Sequence, residues 1–261
     1  MTGGTSGRRT VRRAAVCAFA VLTLGIAALP GTAGASHTWG GYHWARTSNP
    51  FTLKLGDNVS GPWDSVLRTT GTDWSASSVL DTTVVAGSAN PKNCRPTAGR
   101  VQVCNAKYGS NGWLGIAQIW ITGGTHISQG TVKLNDTYFA TPAYNTTAWR
   151  NLVSCQEVGH TLGLDHQDEA FDNANLGTCM DYTSDPSTNQ HPNAHDYEQL
   201  EAIYGHADSG TTVASSTTSG SGAHEQSEWG QEVARSSDHR TARYERALGG
   251  GAKVVTFVIW A

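Results

Sequence analysis

The sequence contains few charged residues. Asp, Glu, Lys and Arg make up only 15% of its 261 residues, and the formal net charge is −3. Such a weak, slightly negative charge does not provide the electrostatic attraction by which proteins bind nucleic acids or anionic membranes. The hydrophobic fraction of 38% still suffices for a packed core. We therefore predict a secreted, loop-rich, monomeric protein that binds neither nucleic acid nor, once mature, a membrane.

Cysteine is also scarce, and no Cys-x-x-Cys pair occurs, which argues against a thiolate metal site. Cys17 lies in the amino-terminal segment described next. The remaining four cysteines are an even number, which in an oxidising compartment predicts two disulfides with three possible connectivities. We favour Cys94 with Cys104, which closes a hairpin-sized loop, and Cys155 with Cys179.

One long uncharged apolar run occurs, and it lies near the amino terminus. Four arginines between positions 8 and 13 precede it, residues 14–29 are uncharged, and Ala-Gly-Ala at 33–35 offers a cleavage site. These are the parts of a secretory signal peptide, and the run is short for a membrane span of about 20 residues. We predict that residues 1–35 are a signal peptide, exported by the general or the twin-arginine route. Cys17 would be removed with it.

The rest of the chain mixes strand-like and helix-like patterns, which predicts the α+β class. Residues 37–44 are aromatic and glycine-rich and are predicted to form a strap over the domain surface. A helix is predicted to start at Pro62, and two more are expected at 146–162 and 195–204. Alternating or β-branched stretches predict strands at 51–55, 82–86, 100–106, 115–121 and 131–135.

Composition divides the chain after the signal peptide into three parts. Residues 36–206 are expected to form the main domain, and 207–225 a Ser/Thr/Gly-rich flexible linker. Residues 226–261 are predicted to form a small β-rich segment with strands at 233–236, 241–244 and 254–260. Because so short a segment barely forms a core, it either docks on the main domain or acts as a small adhesion module.

Residues 156–166 read Gln-Glu-Val-Gly-His-Thr-Leu-Gly-Leu-Asp-His. Gln156 and His160 are four residues apart and therefore lie on one face of the predicted helix. Glu157 is the next residue on the helix, and its carboxylate can reach a water molecule near that face. Gly163 lets the backbone leave the helix sharply, so that His166 can return as a third ligand. Three protein ligands and one open position are the arrangement that catalytic zinc requires.

The pattern Glu157-x-x-His160-x-x-Gly163-x-x-His166 resembles the extended zinc helix of the metzincin metallopeptidases. The family form is H-E-x-x-H-x-x-G-x-x-H followed by a methionine turn, which residues 178–182 (Thr-Cys-Met-Asp-Tyr) resemble. The strand order before the helix and the closing helix are similar to the matrixin branch, over residues 40–206. The resemblance implies a zincin fold: a mixed twisted sheet with a zinc helix, a methionine turn and a C-terminal helix.

The same resemblance implies an activity. His160 and His166 would bind Zn²⁺, and Glu157 would act as general base while a metal-bound water attacks a peptide carbonyl. Met180 would form an apolar floor beneath the metal. Tyr182 stands where a tyrosine steadies the oxyanion in the astacin-like and serralysin-like branches. The protein would be a secreted zinc endopeptidase whose peptide substrate adds to an edge strand at 115–121.

Gln156 departs from the family pattern, which has histidine there, and three hypotheses remain open. Its amide oxygen could bind zinc, as a weaker donor than imidazole. Another group could complete the ligand set. Alternatively the site is degenerate, and the protein is a non-catalytic binding protein of the cell exterior. The candidates for a replacement ligand are Tyr182, Asp165, His126, His191 and His195.

Two further features bear on the metal site. A disulfide between Cys155 and Cys179 would tie the zinc helix to the methionine turn, with a chain-entropy contribution of about 3 kcal/mol. No cysteine occurs between the predicted mature start and the domain, so cysteine-based latency is not expected. Acidic residues close to His166 could hold a cation such as Ca²⁺, although such runs are more often solvated loops; these residues are Asp165, Asp168, Glu169 and Asp172.

Overall fold

The computed structural model describes residues 1–5, 36–214 and 226–261. Most of the predicted signal peptide and residues 215–225 of the predicted linker lie outside the described residues. Met1–Gly34 and Ala35–Ala261 form two separate units, and the fold below is that of the second. Among the described residues, no helix combines the length and the hydrophobicity needed to cross a membrane.

The second unit belongs to the α+β class, which confirms the predicted class. Its strands are β1 (His43–Trp44), β2 (Phe51–Asn58), β3 (Leu80–Ala86), β4 (Val101–Ala106), β5 (Trp113–Thr122), β6 (His126–Asn135), β7 (Gln231–Arg235), β8 (Thr241–Gly249) and β9 (Ala252–Trp260). Its α-helices are α1 (Trp63–Trp74), α2 (Asp136–Phe139), α3 (Thr147–Thr161) and α4 (Ala194–Ile203). The short helix α2 and the first five residues of β6 were not predicted.

All the strands form one sheet in the order β3-β2-β4-β6-β5-β9-β8-β7, with β1 pairing with β6 off this path. The pairs of β2 with β3, β2 with β4 and β4 with β6 are parallel. From β6 through β5, β9 and β8 to β7, every pair is antiparallel. Strand β2 alternates buried and exposed residues over its first five positions, edge strand β3 is mostly exposed or half-buried, and β4 is buried along most of its length.

Helices α1 and α3 pack against each other and against one face of this sheet. Their apolar faces meet inward-facing residues of the strands in the main core, where Trp44, Trp63 and Trp74 are almost completely buried. A smaller cluster covers the opposite face of β5, β9 and β8, around Trp113 and Trp229. The layers therefore hold α3 directly on β5 and β6.

The carboxy-terminal strands belong to the domain sheet and do not stand apart from it. Strand β9 pairs along the whole of β5, with Ala117 opposite Phe257. The prediction that residues 115–121 form an open edge for substrate is therefore wrong, because β5 has a neighbour on each side. Sequence pattern alone could not reveal which distant strand pairs with β5.

Two predictions about chain segments also differ from the structure. The aromatic segment at 37–44 is buried and is not a surface strap: Trp39 is 2% exposed and Trp44 fully buried. Residues 208–214, expected to be a flexible linker, are bonded to the domain, since Asp208 N–H donates to Arg46 O and Thr212 N–H donates to Ala45 O. Backbone N–H groups of this segment therefore donate to carbonyl groups of the domain and not only to water.

Two disulfides occur among the described residues, Cys94–Cys104 and Cys155–Cys179, which is the pairing that the sequence favoured. The first joins the loop before β4 to that strand. The second joins α3 to the irregular segment between α3 and α4. Disulfides of this kind are consistent with an extracellular protein.

Candidate active site

The end of α3 brings two histidines together. Thr146 caps the helix, its hydroxyl accepting a hydrogen bond from the Trp149 N–H at 3.2 Å. Gly163 then turns the chain with φ of +98°, and a Cβ there would lie 2.1 Å from the Tyr42 carbonyl oxygen, so only glycine fits. As a result the rings of His160 and His166 lie side by side, with centroids 4.5 Å apart and planes at 82°.

His160 has a defined tautomer. Its Nδ1 lies 2.9 Å from the Leu164 carbonyl oxygen, which can only accept, so Nδ1 carries the proton and Nε2 has a free lone pair. Burial, together with the neighbouring His166, holds the pKa of His160 well below its ordinary value. A neutral imidazole whose distal nitrogen is free is the form that binds metal ions.

His166 is surrounded by oxygen atoms. Its Nδ1 lies 3.0 Å from the Tyr182 hydroxyl, 3.5 Å from Asp165 Oδ1 and 3.7 Å from Glu169 Oε1. Burial alone would lower the pKa of His166, but the two carboxylates outweigh it and raise this pKa. Burial likewise opposes ionisation of Asp165, yet the contact with His166 lowers the pKa of Asp165 to about 2. These contacts orient the ring through Nδ1.

Gln156 and Glu157 carry polar atoms that are buried without partners. The Gln156 side chain is fully buried, and neither of its amide atoms has a hydrogen-bond partner among the described residues. Glu157 Oε2 is equally unpartnered within that part of the chain. Burial raises the pKa of Glu157 well above its ordinary value, although the Ala117 N–H donates to the carboxylate and lowers it in part. Unpaired buried polar groups are costly, so these atoms are candidates for binding a ligand.

Two glycines allow α3 to approach its surroundings closely. A Cβ on Gly115 of β5 would lie 2.5 Å from Glu157 Oε1, and one on Gly159 would lie 2.6 Å from Met180 Sδ. Met180 is fully buried, with its sulfur next to Gly159 of α3. The Cys155–Cys179 disulfide joins the residues that directly precede Gln156 and Met180.

The donor set fits a zinc ion, because two adjacent imidazoles and an unpaired amide oxygen are nitrogen and oxygen ligands that zinc accepts. Of the proposed replacement ligands, Asp165 and Tyr182 lie at His166. The other three have contacts of their own: His126 with Asp208 at 3.2 Å, His191 with Asp73 at 2.7 Å, and the ring of His195 with that of His37 at 5.0 Å.

The acidic run does not act as one cluster. Asp165 and Glu169 approach His166, and the three ligand atoms lie within 4.8 Å of one another. Asp168 instead accepts hydrogen bonds from Ala170 N–H and the Asn173 amide, both at 2.6 Å, and Asp172 is exposed. The structure therefore separates the four carboxylates predicted as a possible Ca²⁺ site.

An unexpected residue covers His160. Phe257 of β9 stacks on the His160 ring at 4.3 Å between centroids and 12° between planes, and Trp39 lies 5.3 Å from the same ring. Arg243 of β8 reaches the same region, with Nη1 3.7 Å from Asp165 Oδ2. Phe257 and Trp39 were not identified from the sequence, since no local pattern links either to the histidines.

No protein-family model matches this chain, and no curated protein matches it either. Among solved structures, two of myroilysin are similar to part of it. One has 11% identity and a TM-score of 0.35, covering 61% of this chain and 82% of that chain. The other has 12% identity and a TM-score of 0.32, covering 67% and 97% respectively. Similarity at this level assigns neither a family nor an activity to the chain.

Proposed function

We propose that this protein is a secreted zinc-dependent endopeptidase of the metzincin type, acting as a monomer on protein or peptide substrates. The observation that carries the proposal is the group of buried, unpartnered polar atoms on α3, the helix that also carries His160, whose ring contacts that of His166. Gln156 and Glu157 present these atoms on the helix that also holds His160. A fold retains such groups where a ligand or a reaction uses them.

His160 and His166 would hold the zinc ion, with the Gln156 amide oxygen as the third protein ligand. Zinc, when bound, supplies Lewis acidity that polarises a carbonyl and acidifies water. Glu157 would accept the proton of the attacking water and pass it to the leaving nitrogen. Its raised pKa suits a group that must both take up and release a proton. Tyr182 keeps its proton, because burial raises its pKa well above the ordinary value, and can donate a hydrogen bond.

The Phe257 side chain covers the candidate metal site. Strand β9 lies antiparallel to β5 and stacks Phe257 on His160. Because this ring covers His160, we expect the full chain to cleave peptides slowly and the Phe257→Ala variant to cleave them faster.

Glu157→Gln tests the proposal. We expect it to lower chelator-sensitive cleavage of an unfolded protein substrate by about 10²–10⁴-fold, with little change in zinc content. The comparison is made in the Phe257→Ala background, with mass spectrometry of the peptides released. Glu198→Gln is the control, because the Glu198 side chain is 72% exposed. Cleavage that survives Glu157→Gln would contradict the proposal.

A second function, a non-catalytic binding protein with the same fold, is favoured by one specific observation. Phe257 covers His160 on the helix where Gln156 replaces the expected histidine. A binding protein would hold zinc but cleave nothing. Zinc-loaded Phe257→Ala that cleaves no member of a diverse peptide library would favour this second function.

A further inference from the structure

A second group of potential metal ligands, the His43 cluster, lies outside the candidate active site. It consists of His43 in β1, His126 at the start of β6, and His206 and Asp208 in the segment after α4. Three separate parts of the chain supply these residues, so only the fold brings them together. None of them contributes to the contacts of His160 and His166 described above.

The ligand atoms of His43, His126 and Asp208 all lie within 4.8 Å of one another, and that of His206 lies close to two of them. Asp208 Oδ1 lies 3.5 Å from His43 Nε2, 3.2 Å from His126 Nε2 and 3.6 Å from His206 Nε2. His43 Nε2 and His206 Nε2 are 3.2 Å apart. Ligands bound tetrahedrally at about 2.0–2.1 Å from zinc lie about 3.3 Å from one another. The four separations given above, from 3.2 to 3.6 Å, are close to that value.

A hydrogen bond orients the His43 ring toward the cluster. His43 Nδ1 lies 2.8 Å from the Gly41 carbonyl oxygen and donates to it, which directs Nε2 at the Asp208 carboxylate. A carbonyl partner at Nδ1 is the usual support of a metal-binding histidine.

Arg46 positions the carboxylate. Its Nη1 and backbone N–H donate to Asp208 Oδ2 at 2.8 and 3.1 Å, which leaves Oδ1 for the cluster. The Arg46 side chain is 2% exposed, and it also donates to the carbonyl oxygens of Tyr204 and His206. One buried guanidinium thus fixes both the carboxylate and the backbone that carries His206.

Solvent can reach the cluster. The side chains of His126 and His206 are 33% and 50% exposed, whereas His43 and Asp208 are 8% and 10% exposed. An ion can therefore enter through the two accessible histidines. Four protein ligands leave no open position, which is typical of structural and not of catalytic zinc.

We propose that His43, His126, His206 and Asp208 bind a structural Zn²⁺ ion that fastens the segment after α4 to β1 and β6. The proposal does not depend on peptidase activity. The ion would join the beginning and the end of the main domain, beside the hydrogen bonds of Asp208 and Thr212 to residues 45 and 46. Binding would stabilise the folded state, because the unfolded chain has no such arrangement of ligands.

The test uses Zn²⁺ alone as the probe and the full mature chain. In the His160→Ala/His166→Ala variant, which lacks the first candidate site, we expect metal analysis to find one bound zinc per chain. Adding His206→Ala to that variant should weaken zinc binding by at least about tenfold in calorimetric titration. It should also reduce the rise in melting temperature on adding zinc. His206 is chosen because its side chain is half exposed, so its loss should not prevent folding.

His239→Asn in the same double variant is the control, because His239 is an exposed histidine outside both groups. Cobalt substitution adds an independent measurement, since Co²⁺ in a tetrahedral site absorbs strongly in the visible range, and this absorption should be lost with His206→Ala. A double variant that binds no zinc would overturn the proposal. Equal zinc affinity in the variants with and without His206 would also overturn it.

Discussion

At the scale of single residues, the central feature of this protein is Gln156, which stands at the position of the first expected metal ligand. Its side chain is fully buried on α3, and its amide has no hydrogen-bond partner among the described residues. An unsatisfied buried amide costs about 1–3 kcal/mol of folding stability. A cation beside the amide oxygen would offset that cost, which is why we propose a ligand role for Gln156.

Two substitutions of Gln156 should therefore change zinc affinity in opposite directions. We expect Gln156→His to raise it, because imidazole is the better donor, and Gln156→Leu to lower it. The metal-free Gln156→Leu protein should be more stable than the parent by about 1–3 kcal/mol, since the orphaned amide is gone. Calorimetric titration in the His206→Ala background and urea denaturation measure the two effects. If both variants bind zinc like the parent, Gln156 does not face the metal.

At the scale of elements, α3 and α4 are held in place by contacts that lie outside their own hydrogen-bond ladders. The Cys155–Cys179 disulfide links α3 to the irregular segment that follows it. Helix α4 begins with a capping box, in which Asn193 and Asp196 satisfy each other's backbone N–H groups. The Tyr197 hydroxyl donates to the Asp73 carbonyl oxygen at 2.7 Å and so joins α4 to α1.

Removing the Cys155–Cys179 disulfide should lower the free energy of unfolding by about 3 kcal/mol, because a loop of this length loses much of its unfolded-state entropy when closed. The paired Cys155→Ala/Cys179→Ala variant is compared with the parent in urea. Cys94→Ala/Cys104→Ala is the matched control, and its shorter loop should cost less. A larger loss from the control pair would mean that strain or packing, and not loop entropy, dominates.

Alkaline pH should weaken the contact between α4 and α1. Burial, with Asp73 and Asp196 nearby, raises the pKa of Tyr197 to about 12. A group whose folded pKa lies above its unfolded value stabilises the fold fully below the unfolded pKa of about 10 and loses this contribution as pH rises through the folded value. An ultraviolet titration of tyrosinate should therefore lack one late-titrating group in Tyr197→Phe. If the tyrosine that Tyr197→Phe removes proves to titrate near 10 in the parent protein, the assignment is wrong.

At the scale of the whole molecule, the single sheet makes the carboxy-terminal strands part of the same folding unit as the main domain. Val255, Phe257 and Ile259 of β9 belong to the main core cluster, together with residues of α3 and β5. The parallel and antiparallel halves of the sheet meet at β6, directly beneath α3. A destabilising substitution in β9 should therefore lower the stability of the whole domain.

Val255→Ala should lower the free energy of unfolding of the whole domain by about 2 kcal/mol, because it leaves a cavity in the shared core. Val233→Ala in β7 is the control, since Val233 is 47% exposed and should cost no more than about 0.5 kcal/mol. Urea denaturation followed by circular dichroism should show one transition that shifts only in Val255→Ala. A separate transition for the carboxy-terminal strands would show that they fold independently.

Much of the local structure could be predicted because local physics specifies it. The capping Thr146 and the positive φ of Gly163 bound α3 within one residue of the prediction. The even number of cysteines and their spacing indicated the two disulfides. Helix α2, with a single helical turn, carries too little periodicity to be recognised. Strand β6 begins at His126, five residues before the predicted start, because polar residues interrupt the strand pattern before position 131.

The sequence by itself determined the α+β class, the helix that carries Gln156, Glu157 and His160, and the glycine turn that brings His166 back towards that helix. Each depends on residues close together in the chain, where hydrogen-bond geometry and side-chain period decide the outcome. Only the tertiary structure decided that β9 lies along β5 with Phe257 on His160, and that His43, His126, His206 and Asp208 converge. Pairing between distant strands depends on the burial and register of the complete sheet, which no local pattern encodes.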